Sequence, residues 1–163
     1  MEQHNIPPVW DENSRILILG SFPSVKSRAG RFFYHHPQNR FWKVLSAVLE
    51  EPLPGTIEEK KAMLLRHRIA LWDVIASCEI TGSSDSSIRN VIPNDLSLIR
   101  APIAAIFCNG QTSHKLYQKY LQPATGQEAT ALPSTSPANA VRSQEQLTEL
   151  WRAALLPALE SVL

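Results

Sequence analysis

Three stretches of the chain combine hydroxyls, amides and aromatic rings with a near absence of acids. The first carries Ser21, Phe22, Ser24, Ser27, Tyr34 and Asn39, the second Asn109, and the third Ser134, Ser136 and Asn139. Small hydroxyls and backbone amides at helix starts hold phosphates. Asn amides read base edges, and aromatic rings stack on bases. Between Glu12 and Glu50 there is no acid, yet Arg15, Lys26, Arg28, Arg31, Arg40 and Lys43 fall there. Between Asp95 and Glu128 only Arg100, Lys115 and Lys119 are charged, and from Ala129 to Gln144 only Arg142. Such local positive potential suits an anionic partner whatever the net charge. These residue types point to a nucleic acid or nucleotide rather than a small metabolite.

Other chemistries find little support. The two cysteines, Cys78 and Cys108, are too few for a zinc ribbon, a cysteine-held iron–sulfur cluster or a disulfide framework. His35 and His36 are loop neighbours whose rings do not converge on one ion, so neither a metal nor a cofactor is expected. There is no Gly-x-x-x-x-Gly-Lys phosphate loop, Gly-x-Ser-x-Gly elbow or His-Glu-x-x-His. A paired-carboxylate hydrolase lacks its pair, since only Asp73 and Asp85 fall near a strand end.

The elements that must position these residues read as α/β. Ile16 to Leu19, Ile69 to Trp72 extended by Val74-Ile75, and Ile103 to Phe107 are apolar runs without alternation, the pattern of strands covered on both faces. Ala129 to Leu132 is a weaker fourth strand. Phe41, Trp42, Leu45, Val48 and Leu49 mark one helix face. Thr56 with Glu59, and Ser143 with Gln146, are capping boxes opening two more helices, the second bent or ended by Pro157. Gln111 to Leu121 is a shorter helix, and Thr81 to Ser87 a local loop. The order predicts a three-layer α/β/α sandwich around a short, mainly parallel four-stranded sheet. Ligands of such sheets bind beyond the carboxyl ends of the strands, where the loops Gly20 to Asn39, Asn109-Gly110 and Pro133 to Asn139 emerge.

A length of 163 residues, 44% of them apolar and 19% charged, fits one domain over 1–163. The net charge of +1 argues against a supercharged shell or a charged tail. No apolar run reaches the roughly 20 residues of a membrane span, and Met1-Glu2-Gln3-His4-Asn5 lacks the regions of a signal peptide. A monomer in a reducing cytoplasm, without membrane attachment, is expected.

The motifs resemble those of a known family. Gly20-Ser21-Phe22-Pro23-Ser24, followed by Phe33-Tyr34-His35-His36-Pro37-Gln38-Asn39-Arg40-Phe41-Trp42, looks like the first motif of the uracil-DNA glycosylase superfamily. Leu132-Pro133-Ser134-Thr135-Ser136-Pro137-Ala138-Asn139-Ala140 resembles its second motif. With Phe107-Cys108-Asn109-Gly110 and the segment from Trp72 to Glu79, the likeness is nearest to the hypoxanthine-DNA (deoxyinosine) glycosylase branch. Two positions depart from sister branches. Phe22 stands where several carry a water-activating Asp or Asn, and Leu132 where many carry His or Asn.

The resemblance implies hydrolysis of the N-glycosidic bond of deoxyinosine in damaged DNA by a monofunctional enzyme. Asn39 would position the attacking water, or merely cap the helix that follows it. Asn109 is the candidate for reading the flipped base, Tyr34 its stacking platform and Phe22 a wall, with Ser21 beside them. Ser134, Ser136 and Asn139 would line a loop that pinches the strand. Ser24 and Ser27 would contact phosphates, and Lys26, Arg28 and Arg31 would add sequence-independent affinity. The alternatives are mismatch-specific uracil or thymine removal, and a catalytically silent DNA-binding module.

Overall fold

The computed structural model describes residues 2–3 and 6–162; Met1, His4 and Asn5 of the opening stretch lie outside the described residues. In chain order its first elements are β1 (Glu2–Gln3), β2 (Ile16–Gly20), α1 (Val25–Gly30), α2 (Phe41–Val48) and α3 (Ile57–Arg66). There follow β3 (Ile69–Asp73), β4 (Ile75–Glu79), β5 (Arg89–Pro93), β6 (Ala105–Asn109), α4 (Gln111–Tyr120), α5 (Gln122–Thr125), β7 (Ala129–Leu132) and α6 (Gln144–Ser161).

Every residue of β2 and β3 is buried, as unalternating apolar strands require. They pair in parallel from Ile16 opposite Ile69 to Gly20 opposite Asp73. On its other side β2 pairs with β6, and β6 with β7, so the sheet runs β3-β2-β6-β7 and is parallel throughout. Right-handed crossovers place α2 and α3 on one face and α4 on the other. Helix α6 packs on α2 and β7 and completes the first face. The result is the three-layer α/β/α sandwich expected from the sequence.

Local chemistry sets the helix starts. Thr56 accepts the Glu59 N–H at 3.1 Å, and Ser143 with Gln146 forms a reciprocal capping box. Helix α2 buries Phe41, Trp42, Val44, Leu45 and Val48. Each such large side chain contributes about 1.5–3 kcal/mol.

Two expectations need correction, and one of the two outcomes expected at Pro157 is excluded. The apolar run after β3 does not continue that strand. The parallel register of β3 with β2 ends at Asp73 opposite Gly20, its last bond running from Val74 N–H to the Gly20 carbonyl at 2.8 Å. Ile75 then starts β4 in a second sheet, antiparallel, ordered β1-β4-β5. The third core strand begins at Ala105 rather than Ile103, because the Ala104 and Ala105 N–H groups both reach the Arg15 carbonyl. Pro157 does not end α6, which runs on to Ser161. Proline removes one backbone donor there, but Leu155 and Leu159 are buried on either side of it and hold both halves to the core. Thr81 to Ser87 is a loop as expected, with one turn of 3-10 helix at Asp85–Ser87.

Candidate functional site

β2 hands its chain to helices on one face and β6 to α4 on the other, so the carboxyl ends of these adjacent strands flank a topological switch point. A cavity of about 340 Å³ opens there. Ser21, Phe22, Ser24, Ser27, Tyr34, Asn39, Asn109, Ser134 and Ser136 line it together, although they come from three separated stretches. Among the other lining residues, the polar side chains of His36, Asp73, Ser83 and Thr135 had no assigned role in the sequence. A larger cavity, of about 510 Å³, lies between α4 and the segment Asn94 to Ile103, and none of the expected residues lines it.

Thr135, wholly buried, organises the two amides. Its hydroxyl donates to Asn39 Oδ1 at 2.8 Å and accepts from Asn109 Nδ2 at 2.9 Å. Its N–H donates to Asn109 Oδ1 at 3.1 Å. Asn39 Oδ1 also accepts the Phe41 N–H at 2.9 Å, reaching the first residue of α2 from one position before its N-cap, Arg40. Backbone donors fix which end of each amide is oxygen. Asn39 therefore has both carbonyl lone pairs engaged and keeps its NH2 group for a ligand. The Thr135 carbonyl accepts the Arg40 N–H at 3.1 Å, tying the loop after β7 to the start of α2.

Tyr34 and Asp73 shape the inner end. Tyr34 stacks one ring face on Phe41, centroids 4.1 Å apart, and sits in the left-handed region at φ 52°. Asp73, 3% exposed, ends β3 directly opposite Gly20. A Cβ on Gly20 would stand 2.4 Å from Asp73 Oδ1 and 2.9 Å from the Tyr34 hydroxyl, so only glycine permits this approach. The Cys108 thiol, beside Asn109, is pushed up to about 12 by burial, against a lowering hydrogen bond with Ser113. It is no nucleophile at neutral pH.

The expected DNA contacts separate into two groups. Ser24 caps α1 by accepting the Ser27 N–H at 3.1 Å. Ser27, though a lining residue, is 1% exposed, and its hydroxyl accepts the His35 N–H at 2.9 Å. Arg28 does not line the cavity. Its guanidinium pairs with Glu2 at 3.0 Å, donates to the Gly82 carbonyl at 2.8 Å and lies 5.1 Å over the Phe22 ring. Arg31 borders a different depression, with Pro7, Trp10 and Lys61. Lys26 is exposed. Asn139 also stays outside the cavity: its Nδ2 donates to the Ser134 carbonyl at 2.9 Å, and its own carbonyl accepts from Arg40 at 2.7 Å.

Phe22 is both a wall and a core residue, lining the cavity at 8% exposure. Leu132 is buried at the end of β7 and does not reach the cavity. His36 Nδ1 accepts the Gln38 N–H at 3.1 Å, which leaves the Nε2 end of the ring for other contacts. Among the described residues no three His, Cys, Asp or Glu side chains cluster as metal ligands. No helix among them is long and apolar enough to cross a membrane.

Comparison with known proteins agrees with this geometry. Residues 7–160 match the model of the uracil DNA glycosylase superfamily. A protein named hypoxanthine DNA glycosylase from Methanosarcina acetivorans is 38% identical over 157 residues, covering 94% of this chain and 98% of that one. Another of the same name, from Methanosarcina barkeri, is 36% identical, covering 85% and 89%. The solution NMR structure of a candidate uracil DNA glycosylase from Methanosarcina acetivorans superposes with a TM-score of 0.80 at 35% identity, covering 97% and 98%. With a family match of that extent and a cleft in which both motifs meet, the chain belongs to the uracil DNA glycosylase superfamily.

Proposed function

We propose that the protein is a monofunctional DNA glycosylase of base-excision repair that hydrolyses the N-glycosidic bond of deoxyinosine, releasing hypoxanthine and leaving an abasic site. The observation that carries the reading is the cavity at the switch point, where Asn39, Asn109 and Tyr34 meet around a space of about 340 Å³. The two relatives named hypoxanthine DNA glycosylase, alike over most of their length, support the choice of base. The substrate is damaged DNA with its base flipped out, and the enzyme acts as a monomer.

Bond cleavage passes through an oxocarbenium-like state while the base departs with the bonding electrons. A purine leaves as a delocalised anion, so donors aimed at it matter more than a strong general acid. Each well-placed donor contributes about 3 kcal/mol, roughly a hundredfold in rate. Asn109, clamped by Thr135, contacts the flipped base, and the free face of Tyr34 stacks on it. Phe22 closes the side. Asn39 positions the attacking water through its NH2 group, holding the water oxygen while the second lone pair attacks the anomeric carbon. Its carbonyl, already filled, takes no proton; the proton that the water loses goes to the departed base anion, which is released as neutral hypoxanthine. Ser134 and Ser136 bear on the strand at the mouth, and Ser24, with Lys26 outside the cavity, contacts phosphate. Flipping requires a few kcal/mol, less at a mismatched pair.

The test is direct. Duplexes bearing inosine, uracil or mismatched thymine are incubated with the protein and assayed for alkali-labile abasic sites. Cleavage at inosine is expected. Cleavage at uracil or thymine alone would assign the enzyme to the mismatch-specific reaction, and binding without cleavage would make it a silent module.

A further inference from the structure

The loop after β7 is held from two sides. Thr135 and its bonds to the two amides fix the near half, and Arg40, from the start of α2, fixes the far half. Within the loop, Ser136 N–H donates to Ser134 Oγ at 3.1 Å and Asn139 N–H to the Ser136 carbonyl at 2.9 Å. Asn139 Nδ2 closes back on the Ser134 carbonyl, so residues 134–139 form one self-bonded turn, and its two serines line the cavity. Arg40 grips this turn and the residue three positions beyond it. Its Nη2 donates to the Asn139 carbonyl and its Nη1 to the Arg142 carbonyl, each at 2.7 Å. The backbone of Arg40 is itself anchored, its carbonyl accepting the Val44 N–H inside α2, while its side chain makes no capping bond there. Among the described residues no carboxylate pairs with the guanidinium, so both bonds are charge-assisted and face no competing anion.

Two features call for a fork and not merely a charge. A planar guanidinium presents two donors at fixed spacing, which a flexible ammonium does not. The Ala140-Val141 tip between the gripped carbonyls has its valine 88% exposed, so burial does not order it and the fork does. We propose that Arg40 is the positioning residue that latches this loop in its DNA-gripping form: through Asn139, its fork keeps Ser134 and Ser136 at the cavity mouth before any DNA arrives. This rests on the reading of the protein as a glycosylase for deoxyinosine and says what sets its grip on the strand. With the latch in place, binding need not order the loop. Without it, the conformational entropy of the far half is lost at binding instead, and affinity falls. Once DNA is seated the loop is ordered either way, and Thr135 orients the amides independently of the fork. Arg40 therefore governs affinity and leaves bond cleavage to others.

The experiment measures single-turnover release of hypoxanthine over a range of enzyme concentrations for the wild type, Arg40→Lys and Arg40→Ala. Beside it runs fluorescence anisotropy on a duplex bearing a tetrahydrofuran abasic-site analogue. Lysine keeps the charge and loses the fork. Both variants are expected to raise the half-saturating concentration about tenfold, the scale of one lost charge-assisted hydrogen bond, while the saturated rate stays within about threefold. The salt slope of binding should be unchanged in Arg40→Lys. An Arg40→Lys variant that binds as the wild type does would make Arg40 a point charge and overturn the latch. So would a loss confined to the melting temperature or to the saturated rate. Should neither variant fold, NMR of the wild type decides. The guanidinium of Arg40 is expected to rotate at least about tenfold more slowly than that of the exposed Arg31, and equal rates would overturn the proposal. The abasic analogue keeps the two readings apart. A protein that removes no inosine, yet whose Arg40→Lys variant loses its grip on the analogue, would lose the proposed reaction and keep the latch. One that removes inosine, with Arg40→Lys as tight on the analogue as the wild type, would do the reverse.

Discussion

The Thr135 hydroxyl stands 2.8 Å from the Asn39 carbonyl oxygen, across 96 residues of sequence, and that contact decides which end of Asn39 meets a ligand. Without it the carbonyl of Asn39 would keep a lone pair for solvent or for a water near the sugar. With it the carbonyl is filled by two donors, one from the first residue of α2 and one from the loop after β7. The same hydroxyl accepts from Asn109, so one buried side chain sets the orientation of both amides in the cavity.

Thr135→Val, which keeps the shape and removes the hydroxyl, is expected to lower kcat on deoxyinosine about tenfold to a hundredfold with a smaller change in KM. It also leaves buried polar groups unpaired, for a stability loss of about 1–3 kcal/mol. Thr135→Ser should restore most of the activity. Single-turnover kinetics beside thermal melting checks both; a valine variant with wild-type kcat would remove the positioning role.

Two substitutions separate the role proposed for Asn39 in positioning water from its structural contact with α2. Asn39→Asp keeps an oxygen for the Phe41 N–H and discards the NH2 group, so melting should change little while turnover falls at least about a hundredfold, the scale of a lost transition-state donor. Asn39→Ala should also lose the bond to the Phe41 N–H, for about 1 kcal/mol of stability. A fall of less than about tenfold in a folded alanine variant would show that Asn39 only makes the structural contact with α2.

Gly20→Ala puts a methyl group 2.4 Å from Asp73 Oδ1 and 2.9 Å from the Tyr34 hydroxyl. Displacing them should destabilise the fold by about 1–3 kcal/mol, as overpacking does. Activity is expected to fall further than the stability change accounts for, since both displaced groups line the cavity. Melting curves and rates on deoxyinosine, measured below the variant's transition, test this.

The cations divide by their partners. Binding to duplex DNA should weaken with salt, and Lys26→Ala should flatten the slope of log K against log salt by about 1. Arg28→Ala should instead lower stability by about 1 kcal/mol with little change in that slope, because its guanidinium is held by Glu2, the Gly82 carbonyl and the Phe22 ring. Fluorescence anisotropy at several salt concentrations distinguishes the two; a salt-independent affinity would contradict the electrostatic reading.

Alkaline pH should destabilise the protein. Burial raises the Cys108 thiol to about 12 from 9.0, and the same cause raises the Tyr117 phenol. In both cases the folded state holds its proton where the unfolded state has released it, so stability is full below pH 9 and declines from there toward 12. Cys108→Ala should flatten the decline between those values. Denaturant titrations at stepped pH give the slope.

Much of this was legible in the chain because it is written in local patterns. The unalternating runs beginning at Ile16 and Ile69 became buried strands, and the Thr56 and Ser143 boxes became helix starts. The lining residues Ser21, Tyr34, Asn39 and Asn109 belonged to stretches whose residue types already suggested contact with bases and phosphates. What escaped depends on partners far away in sequence. Val74 and Ile75 looked like more of β3, since an apolar run does not say where the neighbouring strand stops. Arg28 looked like a phosphate contact until Glu2 and Gly82 were seen to hold it. Asp73 and Thr135 carry no local signal, because one acid after an apolar run, or one threonine between two serines, acquires meaning only when burial places it at a cavity.

The hydrogen bonds that close the cavity are long in sequence: 96 residues from Asn39 to Thr135 and 102 from Arg40 to Arg142. Closing loops of that length has an entropic cost, which the pairing of β2 with β6 shares. The consequence is one of timing. A newly made chain has no site for a flipped base until the segment after β7 has been made and has settled against the start of α2. Partly folded copies can meet DNA without removing anything from it.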